Sequence, residues 1–278
     1  MSILWPVTES TEPGAGAPGR DRRVVLLAGP GASTNVVYHY LAERFPDVVL
    51  VLEQPVSRVT LARRRARRLG WATVAGQVAF ITVVLPVLRR SARRRVRAIL
   101  TEAGLEAADV PSVRPVVSVN DPETRALLRE LQPDVVVING TRIIGASTLS
   151  AVPCPFLNIH AGITPRYRGV HGGYWALAEG RPDLAGTTVH LVDTGIDTGG
   201  VLAQAYFAAT TRDSIATYPY RQLADGLPLL VEQVDRVLSG EEIRGGTPGL
   251  AAPDGASQLR WHPTVWGYVW TRWRRRVR

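Results

Sequence analysis

RVVLLAGPGASTNVVYHYLAERFPDVVLVLEQ, residues 23–54, reads as strand, turn, helix and strand. Arg23 to Ala28 is a short, unbroken apolar run. The glycine-containing turn Gly29-Pro30-Gly31-Ala32-Ser33-Thr34-Asn35 follows, then the mixed stretch VVYHYLAERF, then a second apolar run, DVVLVLEQ. Two such strands joined through one helix run parallel in a sheet covered on both faces, so their residues are apolar throughout and do not alternate. The unit recurs downstream as the strand PVVSV, a helix opened by Asp121 and Pro122 (NDPETRALLREL) and the buried strand PDVVVING. Further strands are expected at PFLNIH, GTTVHLVD and GVLAQAYF, with a closing helix from Tyr220 to Leu238. The predicted fold is α/β, a doubly wound, Rossmann-like, mostly parallel sheet, with an Arg-rich helical insertion and a short C-terminal extension.

The insertion lies between the second and third strands, over about residues 58–110. Val59, Ala62, Ala66 and Leu69, and again Ala92, Val96, Ile99 and Ala103, recur at helical spacing beside runs of arginine. Between them stands WATVAGQVAFITVVLPVL, a stretch without charge whose length alone suits a membrane-spanning helix. Arginine on both flanks, the breaks at Gly76, Gln77 and Pro86, and the need to return to the same sheet argue against a span. Residues 1–21 read as a disordered arm with no secretory signal, 22–240 as the main domain and 241–278 as the extension.

The chain has 278 residues, 45% of them apolar and 21% charged, and a formal net charge of +9. All 33 basic residues are arginine, which excludes a lysine Schiff base, a Walker lysine and a lysine general base. Residues 58–98 hold twelve arginines and no acid, and residues 261–278 hold five and no acid. The other 16 arginines face all 24 Asp and Glu, so the basicity is local. No zinc-finger spacing, basic zipper or RNA-recognition signature accompanies it, and nucleic acid is not the expected partner. The single cysteine, Cys154, excludes an internal disulfide and a thiolate metal cluster, in keeping with a cytoplasmic protein.

The chemistry is concentrated in NIHAGITPRYRGVHGGYWALAEGRPDLAGTTVHLVDTGIDTGG, which starts at Asn158. Asn-x-His at the end of an apolar strand is weak evidence alone, since such a histidine also serves as an ordinary structural residue. Downstream, Asp193 and Asp197 sit among glycines in a sequence suited to a tight loop folding back over the strand end, where open α/β sheets bind ligands. Asn158 and His160, then Pro165, Tyr167, Arg168 and Gly169, then Asp193, Gly195, Asp197, Thr198 and Gly199 together resemble the catalytic core of the folate-dependent formyltransferases. That family includes the methionyl-tRNA, glycinamide ribonucleotide and sugar N-formyltransferases, and the likeness covers roughly residues 23–57 and 113–240.

The resemblance implies transfer of a formyl group from N10-formyltetrahydrofolate to a primary amine, with no metal. Asn158 would donate to the oxyanion, His160 would exchange protons with the reacting nitrogens, and Asp197 would orient that imidazole and raise its pKa. Arg142, Ile143, Ile144 and Asp193 match the family's pterin-binding positions. Gly31, Ser33 and Asn35, in the first loop, and Tyr167, Arg168 and His171 match the acceptor side. Here the chain departs from the commoner Gly-Ser-Leu-Leu-Pro, reading Ala161-Gly162-Ile163-Thr164-Pro165, so the acceptor's identity is open: a small amine, either an amino-sugar nucleotide or a specialised metabolite. The stretch after residue 240 is expected to be too short for the barrel with which methionyl-tRNA formyltransferases grip tRNA. Two alternatives remain: hydrolysis of formyltetrahydrofolate, with water in place of the amine, and a noncatalytic folate or nucleotide binder at a membrane.

The tail WHPTVWGYVWTRWRRRVR places Trp266, Trp270 and Trp273 at helical spacing among arginines. Such a helix suits an anionic membrane surface, contacted through 58–98 and 261–278 at the inner face of the membrane. It also suits packing of the tail and the insertion on each other, or on a second copy in a homodimer, with the tryptophans buried as ordinary core.

Overall fold

The computed structural model describes residues 22–55, 69–246 and 257–278. The arm at 1–21 and the first arginine-rich helical stretch, with Val59, Ala62 and Ala66, lie outside these residues.

Seven strands form one sheet: β1 (Arg23–Ala28), β2 (Asp47–Glu53), β3 (Arg114–Val116), β4 (Val135–Asn139), β5 (Phe156–His160), β7 (Gly186–Leu191) and β8 (Val201–Tyr206). Their order is β3-β2-β1-β4-β5-β7-β8, parallel from β3 to β5 and antiparallel from there to β8. A separate two-stranded ribbon pairs β6 (Tyr167–Gly169) with β9 (Gln258–Arg260) in parallel. The helices are α1 (Ala32–Ala42), α2 (Trp71–Glu102), α3 (Pro122–Leu131), α4 (Ala146–Leu149), α5 (Gly172–Ala178), α6 (Tyr218–Leu238) and α7 (Val265–Arg275).

The unbroken apolar character of β1 follows from burial on both faces. Val24, Leu26 and Ala28 join a core with α1 and α6, whereas Val25 and Leu27 join the opposite core with α3, as the two-residue period of a strand requires. α1 begins at Ala32, earlier than the glycine-rich turn suggests, because the Thr34 hydroxyl donates to the carbonyl of Gly29 at 2.6 Å and the Thr34 N–H to that of Gly31 at 3.0 Å. Helix α3 starts at Pro122, as the Asp121-Pro122 pair predicts.

In the described part of the insertion, Trp71–Glu102 forms one long helix. Its buried positions run Val74, Gln77 and Phe80, then Leu85, Ala92 and Ile99. The five-residue step from Phe80 to Leu85 exceeds an α-helical turn, and it coincides with a π turn at Phe80–Val84 in which the Leu85 N–H donates to the Phe80 carbonyl. The wider turn keeps one stripe facing inward on both sides of it. Phe80 and Leu85 enter a third core with Ile163, Tyr167, Tyr174, Phe207, Tyr218 and Tyr268, which ties the insertion to β6, α5 and α7. Arg95 closes the attachment, donating at 3.0 Å to the buried carboxylate of Asp213.

Candidate active site

β5 ends the parallel part of the sheet and delivers Asn158 and His160 two residues apart, hence on one face, while Leu157 and Ile159 turn into the core of α1 and α6. The antiparallel register of β7 sets His190 opposite Asn158 and Thr188 opposite His160. The loop after β7 then returns Asp197 to the strand end. Asp193 holds that loop, accepting from the Gly195 N–H at 2.9 Å and the Thr198 hydroxyl at 2.7 Å. Asp197 itself takes a left-handed backbone, φ 51, which Asp tolerates better than most residues.

One carboxylate oxygen gathers the cluster. Asp197 Oδ1 lies 3.3 Å from His160 Nδ1, 3.3 Å from Asn158 Nδ2 and 3.7 Å from His190 Nε2. The other oxygen, Oδ2, accepts from the Gly169 N–H at 2.8 Å, and Arg168 donates to the Ile196 carbonyl at 3.1 Å, so the loop is clamped to β6. Gly162 lets the chain pass tightly over the imidazole, since a Cβ there would lie 2.8 Å from His160 Nε2.

The partners fix the proton positions. His190 Nδ1 lies 2.7 Å from the Leu191 carbonyl, which only accepts, so Nδ1 carries the proton and Nε2 accepts from the Asn158 amide at 3.0 Å. His160 Nε2 faces the Tyr167 carbonyl at 2.8 Å and must donate there, leaving Nδ1, beside Asp197, as the nitrogen that gains and loses a proton. Burial pulls the His160 pKa below its usual 6.5, against the attraction of Asp197. Asp197 does raise it, as the resemblance implies, but desolvation is the larger effect, so the net shift is downward and favours the neutral imidazole. Burial would raise the Asp197 carboxyl, yet His160, His190 and the Gly169 N–H outweigh it and bring it down to about 2.

The other sequence-nominated residues surround this cluster unevenly. Arg142 folds back onto the body: its N–H donates to buried Glu53 at 2.9 Å and its guanidinium to the carbonyls of Gln54 and Val117. Ile143 is exposed with its carbonyl held by Asn120, and Ile144 is core. Asp193 is exposed on the Asp197 loop. Gly31 is exposed, while Ser33 and Asn35 are partly buried in the first turn of α1; the Asn139 side chain reaches Ser33 at 3.5 Å and Thr34 at 3.0 Å. Tyr167 has no exposed surface: its ring is core, and its hydroxyl donates to Glu179 at 3.0 Å. His171 pairs with His262 at 2.9 Å, and burial pushes it down to about 3, with His262 and Arg89 adding repulsion. His190 and His262 escaped the sequence reading, because only strand register and the β6–β9 pairing bring them in.

A cavity of about 570 Å³ opens beside the first turn of α1, lined by Ala32, Arg89, Arg93, Arg97, Glu106 and Tyr220 among others. Arg89, in its lining, also repels a protonated His171.

The profile of the formyl transferase family matches residues 72–234. A methionyl-tRNA formyltransferase from Anaeromyxobacter dehalogenans is 35% identical over 164 residues, 58% of this chain and 52% of the relative. The chain thus spans about half the length of the curated relatives it matches. Glycinamide ribonucleotide transformylase 1 from Symbiobacterium toebii aligns with a TM-score of 0.52 at 22% identity, over 81% of this chain and 91% of that one. Phosphoribosylglycinamide formyltransferase from Anaplasma phagocytophilum gives 0.51 at 17%, over 88% and 98%. At these identities the two structures attest the shared fold.

Proposed function

Because this chain belongs to the formyl transferase family, we propose that it moves the formyl group of N10-formyltetrahydrofolate onto a primary amine of a small acceptor. The observation that carries this reading is the convergence of Asn158, His160 and Asp197 around one oxygen. The amine nitrogen attacks the formyl carbon and forms a tetrahedral oxyanion. The Asn158 amide turns an N–H from its 3.3 Å contact with Asp197 to that oxyanion, an interaction worth about 3 kcal/mol in comparable sites. The proton leaving the amine passes to the His160–Asp197 pair, neutral imidazole and carboxylate at pH 7, and the transient imidazolium is stabilised by the carboxylate beside it. The bond from carbon to N10 then breaks, the pair returns the proton to N10, and formamide and tetrahydrofolate result. The Arg142–Ile143–Ile144 turn, held by hydrogen bonds to Glu53 and Asn120 and with Ile143 exposed, suits the donor's ring.

The acceptor is a phosphorylated amine of amino-sugar-nucleotide type. The supporting feature is the cavity at the start of α1, where three arginines outnumber its one acid, Glu106, and where Ala32 brings the N-terminal end of the helix, an end that favours an anion. With donor and a panel of amino-sugar nucleotides, the wild-type protein is expected to release tetrahydrofolate. His160→Ala is expected to abolish turnover while donor binding survives; unchanged turnover would refute the role assigned to this imidazole.

A further inference from the structure

We infer that the outer face shared by α2 and α7 seats the protein on an anionic lipid bilayer, lying along its surface without crossing it. On α2 the exposed positions from Trp71 to Val87 are Trp71, Ala72, Ala75, Val78, Thr82, Val83, Pro86 and Val87, with no charge among them. Trp71 is 69% exposed, Val83 63% and Val87 65%. The helix contains an 18-residue window of mean hydropathy 1.9, only 28% of it buried.

On α7, Trp266, Val269, Trp270 and Trp273 form an exposed stripe at spacings of three and four. The two patches are continuous, because the Trp266 ring lies against Gly76 of α2, where a Cβ would overlap it. Charge identifies the occupant. Beyond the apolar stretch, α2 exposes Arg90 and Arg94, which lie outside the cavity lined by Arg89, Arg93 and Arg97; α7 and the residues after it expose Arg272, Arg274, Arg275, Arg276 and Arg278. No Asp or Glu occurs between Trp71 and Thr101 or between Val265 and Arg278. A broad apolar face edged by tryptophan and by arginine of one sign matches acyl chains below and phosphates above, each arginine extending its head toward the phosphates. A second copy of this chain would bring arginine against arginine. Crossing is opposed by the other side of α2: Phe80, Leu85 and Ile99 are buried in the protein, and Arg95 is held by Asp213.

The test is flotation of the full chain with phosphatidylcholine vesicles, with and without phosphatidylglycerol. Co-flotation is expected only with the anionic vesicles, falling about tenfold at high salt. Trp270→Glu with Trp273→Glu, and separately Arg90→Gln with Arg94→Gln and Arg274→Gln, are expected to lower it by a similar factor while formyl transfer in solution is retained. Those positions are exposed, so circular dichroism should be unaltered. Wild-type protein left unbound by anionic vesicles would overturn the inference. So would light scattering that shows a dimer dissolved by the same substitutions without vesicle binding. Release of bound protein by alkaline carbonate supports a surface seat, and a requirement for detergent overturns it.

Discussion

Asn158 and His160 were legible because a two-residue spacing on a strand puts both side chains on one face, and Asp197 because its glycine-flanked loop can reach back to that face. His190 was not, because its place opposite Asn158 depends on the register of two strands separated by a long connection. Tyr167 shows the converse: its position in the motif is recognisable, yet its ring is buried and its carbonyl, an atom no side-chain pattern reveals, orients His160. The protonation of the cluster yields a signed prediction. Turnover needs His160 neutral, so the acid limb of kcat/KM should have an apparent pKa below 6.5. Asp197→Asn keeps the left-handed backbone and the acceptor for Gly169, but removes the charge that raises His160. The variant should lose about 10²–10⁴-fold in kcat, and its acid limb should move to lower pH. A limb that stays in place or moves up would exclude the electrostatic coupling between the two residues.

At the scale of the elements, continuous apolar runs located the parallel strands, because double burial leaves no polar position to mistake. Periodicity located the helix of the insertion but missed the join in it, since a π turn is a local widening that apolar spacing exposes only when the buried side is already known. The turn makes the two halves of α2 respond differently to shortening. Deleting Val83, an exposed residue within it, leaves Phe80 and Leu85 at the ordinary four-residue spacing and lets the helix close as α. Urea unfolding should then change by less than about 1 kcal/mol. Deleting Arg94, in the regular part, rotates the following turns by about 100° and swings Ile99 out of the core, costing about 2–4 kcal/mol. Equal effects from the two deletions would show that the turn does not set the register of the buried stripe.

At the scale of the whole molecule, the C-terminal segment is built into the site it follows. β9 pairs with β6, the Trp175 indole donates to the Trp261 carbonyl at 3.0 Å, and His262 meets His171, so 257–278 braces the loop between His160 and α5. None of this was legible, because a Trp- and Arg-rich tail has the same composition whether it packs inward, against lipid or against a second copy. The brace carries its own acid sensitivity. His171 falls to about 3 and His160 also lies below 6.5, so between those values the unfolded chain binds protons that the folded chain refuses. The contribution of these groups is therefore complete above pH 6.5 and declines below it, by up to about 1.4 kcal/mol per pH unit for each histidine that still refuses a proton, which for His171 extends down to about 3. His171→Asn suits the left-handed backbone there, φ 61, and removes one of the two groups. Thermal melts over that pH range should show a shallower decline in the variant than in the wild type, and Trp175 fluorescence should report the wild-type brace loosening before global unfolding. Parallel slopes for the two proteins would mean that the His171–His262 contact stays closed on protonation and that acid acts elsewhere.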